Sequence, residues 1–515
     1  MAEFFSRIEI WIIVIYMVSM LVIAFFVSGS SRNVEGYTVG NRRIPGWALG
    51  LSVLGTFTSS ISFLAYPAKA YATNWNAFVF GLALPPAAYL AVRWFVPLYR
   101  RGVGFSAYEL LEHRFGFWAR VYADVSFIAL QLIRIATVLL LVAFAMSEMI
   151  QWEVVPTVIG LGLLVIIYDT LGGIQAVIWT DVVQVVVLIG GALWCLATLV
   201  AGAGGLEVVL REVPTVKLEF GPWLGAGDDP VPFWSLASPT VLVILIYGLA
   251  ENLRNYGVDQ NYVQRMLAAE SDREAGRSLW IGALGYLPLS VIFFSIGTVL
   301  YMTHPPESLA AGVRADQVFP NFITQQLPAP VAGLVLAAVL AAAMSTVDSS
   351  LNAMSTVVLV DLLRPLRRDR KPLWPEIISL RVSTVTLGVL GTGTAVVIYS
   401  IFQAEKSRTM LDLWWEYAGV AGGGMFGLFL LAWLLPKLPS WGAVLGVVLS
   451  FPVLAWGTFA REAPHGAWWA AYQCPLDRKL VGVSGTLVLL LVGLAVMSGV
   501  RSGLFRPNPR SLPSE

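Results

Sequence analysis

Long apolar segments alternate with short polar ones along the whole chain. A helix needs about 20 mainly apolar residues to cross the hydrocarbon core of a bilayer. Hydropathy, together with the polar loops between segments, predicts about 13 such helices. They lie near residues 8–28, 46–72, 77–98, 118–148, 154–169, 173–201, 237–258, 278–303, 330–360, 374–402, 410–435, 441–460 and 480–500. The pattern therefore predicts an all-α polytopic membrane protein.

Two predicted spans carry polar residues where a lipid-facing helix would be apolar. The polar run is 55–62 in the second span and 247–252 in the seventh. These spans are the first helices of two possible five-helix halves, residues 46–201 and 237–435. Interrupted helices at matching places in two halves indicate a transport site near the middle of the bilayer.

Acidic residues inside two distant spans indicate a cation site. A carboxylate in hydrocarbon is costly unless it has a cation, a partner or water. Asp181 lies in the sixth span. In the ninth span one helix face carries Ser345, Asp348, Ser349 and Asn352. Two helices that offer only oxygen ligands suit a hard cation. The alternatives are that the serines bond within their own helix, and that Asp181 pairs with an arginine or carries a proton.

Arg134 is a guanidinium well inside a span, with no acid within one helical turn. Its planar fork suits a carboxylate, so it is a candidate for binding an acidic solute. The alternative is a structural ion pair with Glu251 or Asp181. Glu251 itself is expected to pair with Arg254, three residues further along the same helix.

Composition excludes several classes of protein. Hydrophobic residues make up 57% of the chain and charged residues 13%, with a mean hydropathy of +0.73, which is outside the range of soluble domains. The formal charge of +1 gives no reason to expect nucleic acid as a partner. The sequence has no phosphate-binding loop, nucleophile elbow or paired-histidine motif, so neither ATP-driven transport nor an enzyme is predicted.

The distribution of arginine and lysine predicts the orientation. Most basic residues fall in the loops on one side, above all in the segment 364–371. Such loops face the cytoplasm, which places the N-terminus outside and the C-terminus inside. The first apolar run lacks a basic leader and a convincing cleavage site, so it is expected to be a retained helix.

The segments 172–184, 259–268 and 342–352 together resemble the sodium/solute symporter family, and 55–75 is similar to its bacterial sodium/sialic acid symporters. The resemblance implies a LeuT-type fold with two inverted five-helix repeats, alternating access, Na⁺ as the coupling ion and no organic cofactor. The implied divisions are 1–45 (an extra N-terminal helix and cytoplasmic loop), 46–236 (first repeat and outer loop), 237–435 (second, inverted repeat) and 436–515 (accessory C-terminal helices and a short tail).

The resemblance also implies two sodium sites. The first would use the main-chain oxygens of Gly55, Thr58 and Ala342 and the hydroxyls of Ser345 and Thr346. The second, present in only some members, would use Asp181, Ser345, Asp348 and Ser349. An acid at position 348 departs from the family pattern, because hydroxyl residues are common there.

In the bacterial sialic acid symporters, an arginine matching Arg134 binds the sugar carboxylate, and hydroxyls matching Ser59 and Ser62 assist. Ala77 and Gly81 stand where a bulkier aromatic residue and a glutamine are expected. Other carboxylates and neutral sugars therefore stay open as substrates.

The sequence thus predicts a secondary transporter in the cell (inner) membrane. Its substrate is expected to be a small polar solute, best matched by a carboxylated sugar such as sialic acid, with membrane lipid and Na⁺ as its other partners and no obligate protein partner. One alternative is a proton-coupled carrier in which Asp181 and Asp348 titrate. Another is a transporter-like membrane sensor, which would need a signalling domain that the short tail after residue 500 does not offer.

Overall fold

The computed structural model describes residues 7–27, 33–102, 104–150, 152–222, 230–309, 313–367, 374–404, 410–460 and 472–502. Regular structure in these ranges is helical, apart from isolated bridge residues such as the pair Ile44 and Ala269. In chain order the α-helices are α1 (Arg7–Val27), α2 (Val34–Val39), α3 (Gly46–Phe57), α4 (Tyr66–Ala72), α5 (Val79–Leu82), α6 (Leu84–Leu90), α7 (Val96–Gly102), α8 (Glu109–Phe115), α9 (Phe117–Ile150), α10 (Val154–Gly202), α11 (Leu206–Glu212), α12 (Thr215–Leu218), α13 (Val241–Val258), α14 (Gln260–Ala268), α15 (Asp272–Thr303), α16 (Ala315–Gln325), α17 (Ala329–Val357), α18 (Arg364–Arg367), α19 (Glu376–Ala404), α20 (Met410–Leu434), α21 (Ser440–Phe459) and α22 (Leu480–Arg501).

Within the described residues, ten helices are long and apolar enough to cross a membrane, or eleven if a bent pair is counted as one span. The predicted all-helical membrane architecture is confirmed, but the count of 13 is not. Two predicted spans are absent from this set. The segment 154–169 contains only the shorter apolar helix Val154–Ile167. The segment 237–258 forms α13, which carries the charged residues Glu251 and Arg254.

The interruption predicted in the second span is confirmed. Helix α3 ends at Phe57, and the chain resumes at a π-helical turn, Ile61–Ala65, that leads into α4. The two parts meet at an angle of 53°. Ser59 supports the break, because its hydroxyl accepts a hydrogen bond from the backbone N–H of Ile61 at 3.2 Å.

The interruption predicted at 247–252 is wrong, because α13 runs through these residues without a break. The break lies at Asp259, whose carboxylate accepts from the backbone N–H of Asn261 at 2.9 Å and so caps α14. The Glu251 carboxylate accepts from Arg254 within α13. This pairing satisfies the charged groups without unwinding the helix.

Helix α17 lies at the centre of the bundle and is buried along most of its length. Helices α1, α3, α9, α10 and α14 pack around it. Helix α10 is divided at Gly173, whose φ of 64° and ψ of 178° are accessible to glycine but essentially to no other residue. This division agrees with the separate spans predicted at 154–169 and 173–201.

Candidate functional site

The broken end of α3 lies against α17, and this contact brings Gly55 of the first predicted sodium site to Ser345 of the same site. A Cβ atom added to Gly55 would lie 2.9 Å from the Ser345 Oγ. Thr346 is fully buried, and its hydroxyl donates to the Ala342 carbonyl at 3.1 Å. Thr58 is buried at the break, and its Oγ1 makes no hydrogen bond within the described part of the chain. The site therefore offers uncharged oxygens where a helix end leaves carbonyls free.

Asp181, the acid of the second predicted sodium site, is fully buried and surrounded by donors. Its Oδ2 accepts from Arg265 Nη2 at 3.0 Å and from the Ser52 hydroxyl. Its Oδ1 accepts from the Ser345 hydroxyl at 2.5 Å. Of the alternatives open from sequence, the structure thus forms the one in which Asp181 pairs with an arginine.

Arg265 also joins Asp181 to α17. Its Nη2 donates to the Ser349 hydroxyl at 2.7 Å, and the same hydroxyl donates to the Ser345 carbonyl at 2.7 Å. Two of the four predicted second-site residues, Asp181 and Ser349, therefore contact one guanidinium, and Ser345 bonds Asp181. The fourth, Asp348, is fully buried on α17. Arg265 itself lies in α14 and has no exposed surface.

A cavity of about 590 Å³, its open mouth included, lies beside the break in the second span. All three predicted substrate residues, Ser59, Ser62 and Arg134, line it. Its walls come from the broken span and from helices α9, α13, α14, α15 and α20.

Arg134 forms neither of the ion pairs considered from sequence. Its Nη2 donates to the Thr56 carbonyl at 2.6 Å, at the broken end of α3. Glu251 binds Arg254 instead, and Asp181 binds Arg265. Among the described residues no carboxylate lies within ion-pair distance of Arg134, so its positive charge remains available to a solute in the cavity.

Aromatic rings form much of the cavity wall, and sequence reasoning did not find them. Phe57 contacts Tyr262 with ring centroids 4.7 Å apart and Tyr286 at 6.0 Å. The hydroxyl groups of Tyr286 and Tyr66 are 2.5 Å apart. These residues come from separate helices, so no spacing in the sequence relates them.

The departure at Gly81 has a structural counterpart. A Cβ atom added there would lie 3.2 Å from Cε1 of Tyr286, which lines the cavity. A longer side chain at position 81 would therefore compete with the Tyr286 ring. Ala77, the other departure, is buried.

Comparisons with known proteins agree on the type of molecule. The family described as "Sodium:solute symporter family" matches residues 37–450. The chain is 30% identical to the sodium/sialic acid symporter SiaT of Proteus mirabilis, over 93% of this chain and 92% of that protein. It is 28% identical to the human sodium-coupled monocarboxylate transporter 1, over 84% of this chain and 69% of that protein.

Solved structures give the same result for the fold. A Na⁺-coupled sialic acid symporter in a substrate-bound, outward-open state superposes with a TM-score of 0.83, at 28% identity, over 98% of this chain and 99% of that chain. The transporter Mhp1, at 14% identity and a TM-score of 0.56, shares the fold alone. The fold is thus of the LeuT type that the sequence predicts, and the relatives are transporters rather than enzymes. The chain belongs to the sodium:solute symporter family and is a membrane-embedded, sodium-coupled symporter of a small solute.

Proposed function

We propose that the chain carries a carboxylated sugar, such as sialic acid, across the cell membrane together with sodium. The observation that carries this proposal is Arg134, a buried guanidinium in a cavity with no carboxylate partner among the described residues. A buried cation without a counter-charge is costly, and an acidic solute offsets that cost. Ser59 and Ser62 supply hydroxyl groups on the adjacent wall.

Sodium binds first between the broken span and α17 in this proposal. Its ligands are the carbonyl oxygens of Gly55, Thr58 and Ala342 and the hydroxyls of Ser345 and Thr346. Because Arg134 donates to the Thr56 carbonyl, the ion site and the solute site share the same broken helix end. Binding at one site therefore favours the conformation that the other requires, and this differential affinity couples the two.

A second sodium site at Asp181, Ser345, Asp348 and Ser349 belongs to the proposal, with Arg265 as its competitor. The guanidinium already lies between Asp181 and Ser349. A sodium ion entering there replaces one cation by another. The site is therefore weaker than one built around an unpaired carboxylate.

The proposed architecture comprises a first repeat at 46–236 and a second, inverted repeat at 237–435. In support, the breaks after Phe57 and at Asp259 both follow the first long helix of a repeat. The segments 1–45 and 436–515 flank the repeats. The proposed orientation, with the N-terminus outside and the C-terminus in the cytoplasm, rests on the basic loops.

A small organic acid is the second candidate substrate. The human relative named above is a sodium-coupled monocarboxylate transporter. Arg134 suits any carboxylate, and the small residues Ala77 and Gly81 remove two side chains expected for sialic acid. A neutral sugar has less support, because it leaves Arg134 without a counter-charge.

Uptake of labelled N-acetylneuraminic acid into proteoliposomes tests the proposal, with a sodium gradient and with potassium in its place. Accumulation above equilibrium only with sodium supports symport of this acid. Uptake driven by a proton gradient in the absence of sodium would instead establish proton coupling. The Arg134→Ala variant is expected to abolish uptake, whereas Arg93→Ala, at an exposed arginine outside the cavity, is expected to retain it. Retained affinity in folded Arg134→Ala protein overturns the role of Arg134.

A further inference from the structure

A second arginine lines the solute cavity, but its charge is already balanced. Arg254 and Glu251 lie one turn apart on α13, and both are buried. Arg254 Nε donates to Glu251 Oε2 at 2.9 Å, and Nη2 donates to Oε1. This fork-to-fork pairing orients both side chains. The pair adds no net charge to the cavity wall.

Helix α20 holds the Arg254 side chain in place. A Cβ atom added to Gly422 would lie 2.8 Å from Arg254 Cδ and 2.9 Å from its Nε. Glycine at this position therefore lets α20 pack directly against the arginine side chain. The guanidinium is fixed between its own helix and α20, so its remaining donor has a defined position.

That remaining donor is Arg254 Nη1. It is buried and makes no hydrogen bond within the described part of the chain. The carboxylate of Asp259 lies 3.9 Å away, beyond hydrogen-bond distance, and accepts from Gln131 and Asn261 instead. The Tyr247 hydroxyl, on the same helix and lining the same cavity, is also buried without a hydrogen bond there.

Unsatisfied polar groups around a neutral pair suit a particular kind of ligand. A hydroxyl or amide oxygen accepts from Arg254 Nη1 and from the Tyr247 hydroxyl without bringing a second charge. An alkyl chain in the same place leaves both groups unpaired, which a buried site tolerates poorly. A second carboxylate on the ligand gains little binding energy here, because Glu251 already neutralises the Arg254 guanidinium.

We propose that the Glu251–Arg254 pair, with Tyr247, is a specificity element that binds the hydroxyl or amide groups of the solute while Arg134 binds its carboxylate. It selects hydroxylated acids over alkyl monocarboxylates. This inference rests on the proposed function, because it takes the carboxylate of the solute to be bound by Arg134.

Gluconate and hexanoate provide the test, since both are six-carbon monocarboxylates and only gluconate carries hydroxyl groups along its chain. Apparent affinities come from the thermal stabilisation of the purified, full-length protein by each acid in sodium. The unmodified protein is expected to bind gluconate at least about tenfold more tightly than hexanoate. In the double variant Glu251→Leu/Arg254→Met the ratio is expected to fall below about threefold, because both charges of the pair are removed together. Asp259 keeps its hydrogen bonds from Gln131 and Asn261 in this variant.

The Arg134→Lys variant serves as the matched control. It is expected to weaken the binding of both acids and to leave the ratio of their affinities unchanged. A gluconate-to-hexanoate affinity ratio near one in the unmodified protein overturns the specificity element. An unchanged ratio in a folded double variant does the same. Both outcomes leave the proposed function in place. Absence of stabilisation by gluconate, hexanoate and N-acetylneuraminate alike overturns the proposed function, and the specificity element with it.

Discussion

Asp181 of α10 and Arg265 of α14 form an ion pair with an N–O distance of 3.0 Å, and neither side chain is more than 1% exposed. Ser52 and Ser345 complete the surroundings of the carboxylate. The acid expected to hold a sodium ion thus already has a resident cation. Mutations can separate the contribution of Asp181 to stability from its contribution to ion binding.

Arg265→Gln is expected to destabilise the protein strongly, because it leaves the Asp181 carboxylate buried without its counter-charge. Loss of one partner from a buried pair costs about 3–5 kcal/mol. The double variant Asp181→Asn/Arg265→Gln is expected to recover most of that loss, since neither charge remains. Denaturation of the purified protein in detergent measures both. Equal stability of the single and double variants would contradict a direct pair.

Asp181→Asn is expected to weaken the dependence of uptake on sodium, because the carboxylate that attracts a second ion is lost. The measurement is the sodium activation curve of solute uptake in proteoliposomes. A shift to higher sodium concentration, or a shallower curve, supports the second site. An unchanged curve removes Asp181 from ion binding and leaves it as the partner of Arg265.

Gly55→Ala is expected to lower sodium affinity at least about tenfold, equivalent to about 1.4 kcal/mol. The added methyl group would lie 2.9 Å from Ser345 Oγ and 3.1 Å from Val185 Cγ2, so α3 and α17 must separate where the ion binds. Gly160→Ala on α10 is the control, because its methyl group meets nothing within 4 Å. Sodium-dependent stabilisation of the purified variants measures the effect, and matching affinities for the two would rule out an ion site at this contact.

Lys217 is expected to make the docking of α12 depend on pH. The residue lies outside the candidate spans, and its Nζ donates to the Tyr71 carbonyl at 2.6 Å and the Thr73 carbonyl at 2.9 Å. Burial lowers the pKa of this amine from its usual 10.5 to about 8. Docking is therefore weaker below about pH 8, where the buried amine must be charged. It strengthens as pH rises from 8 towards 10.5, where only the undocked amine is charged.

Hydrogen-exchange protection of Thr215–Leu218, corrected for the intrinsic rate at each pH, measures this docking. Protection is expected to rise between pH 7 and pH 9. In Lys217→Met, which keeps a long apolar side chain without the amine, protection is expected to stay constant over the same range. A similar rise in both proteins would assign the pH dependence to another group.

The local pattern of polar and apolar residues predicts the helices of this protein better than it predicts which side chains contact each other between helices. The break after Phe57 follows from a polar run inside an apolar span, which is a local signal. The second break was misplaced at 247–252 because Glu251 and Arg254 look unfavourable in a span, although they satisfy each other within one helix. The capping residue Asp259 was the better signal, since an aspartate before a helix start is typical of an N-cap.

The partners of buried charges depend on contacts that no spacing in the chain encodes. Arg134 and Asp181 were both recognised as unusual, but only the folded chain brings Arg265 to Asp181 and the Thr56 carbonyl to Arg134. The aromatic wall of the cavity was missed for the same reason. Tyr262 and Tyr286 lie on separate helices, and both contact Phe57.

The broken end of α3 has a consequence for the transport cycle proposed above. The first ion site there is made of carbonyl and hydroxyl oxygens, and the partial negative charge at the end of a helix takes the place of a carboxylate. When sodium leaves such a site, no full negative charge is stranded inside the membrane. The first ion site can therefore empty without a proton taking the place of sodium, and the charge left in the unloaded carrier is the positive one of Arg134.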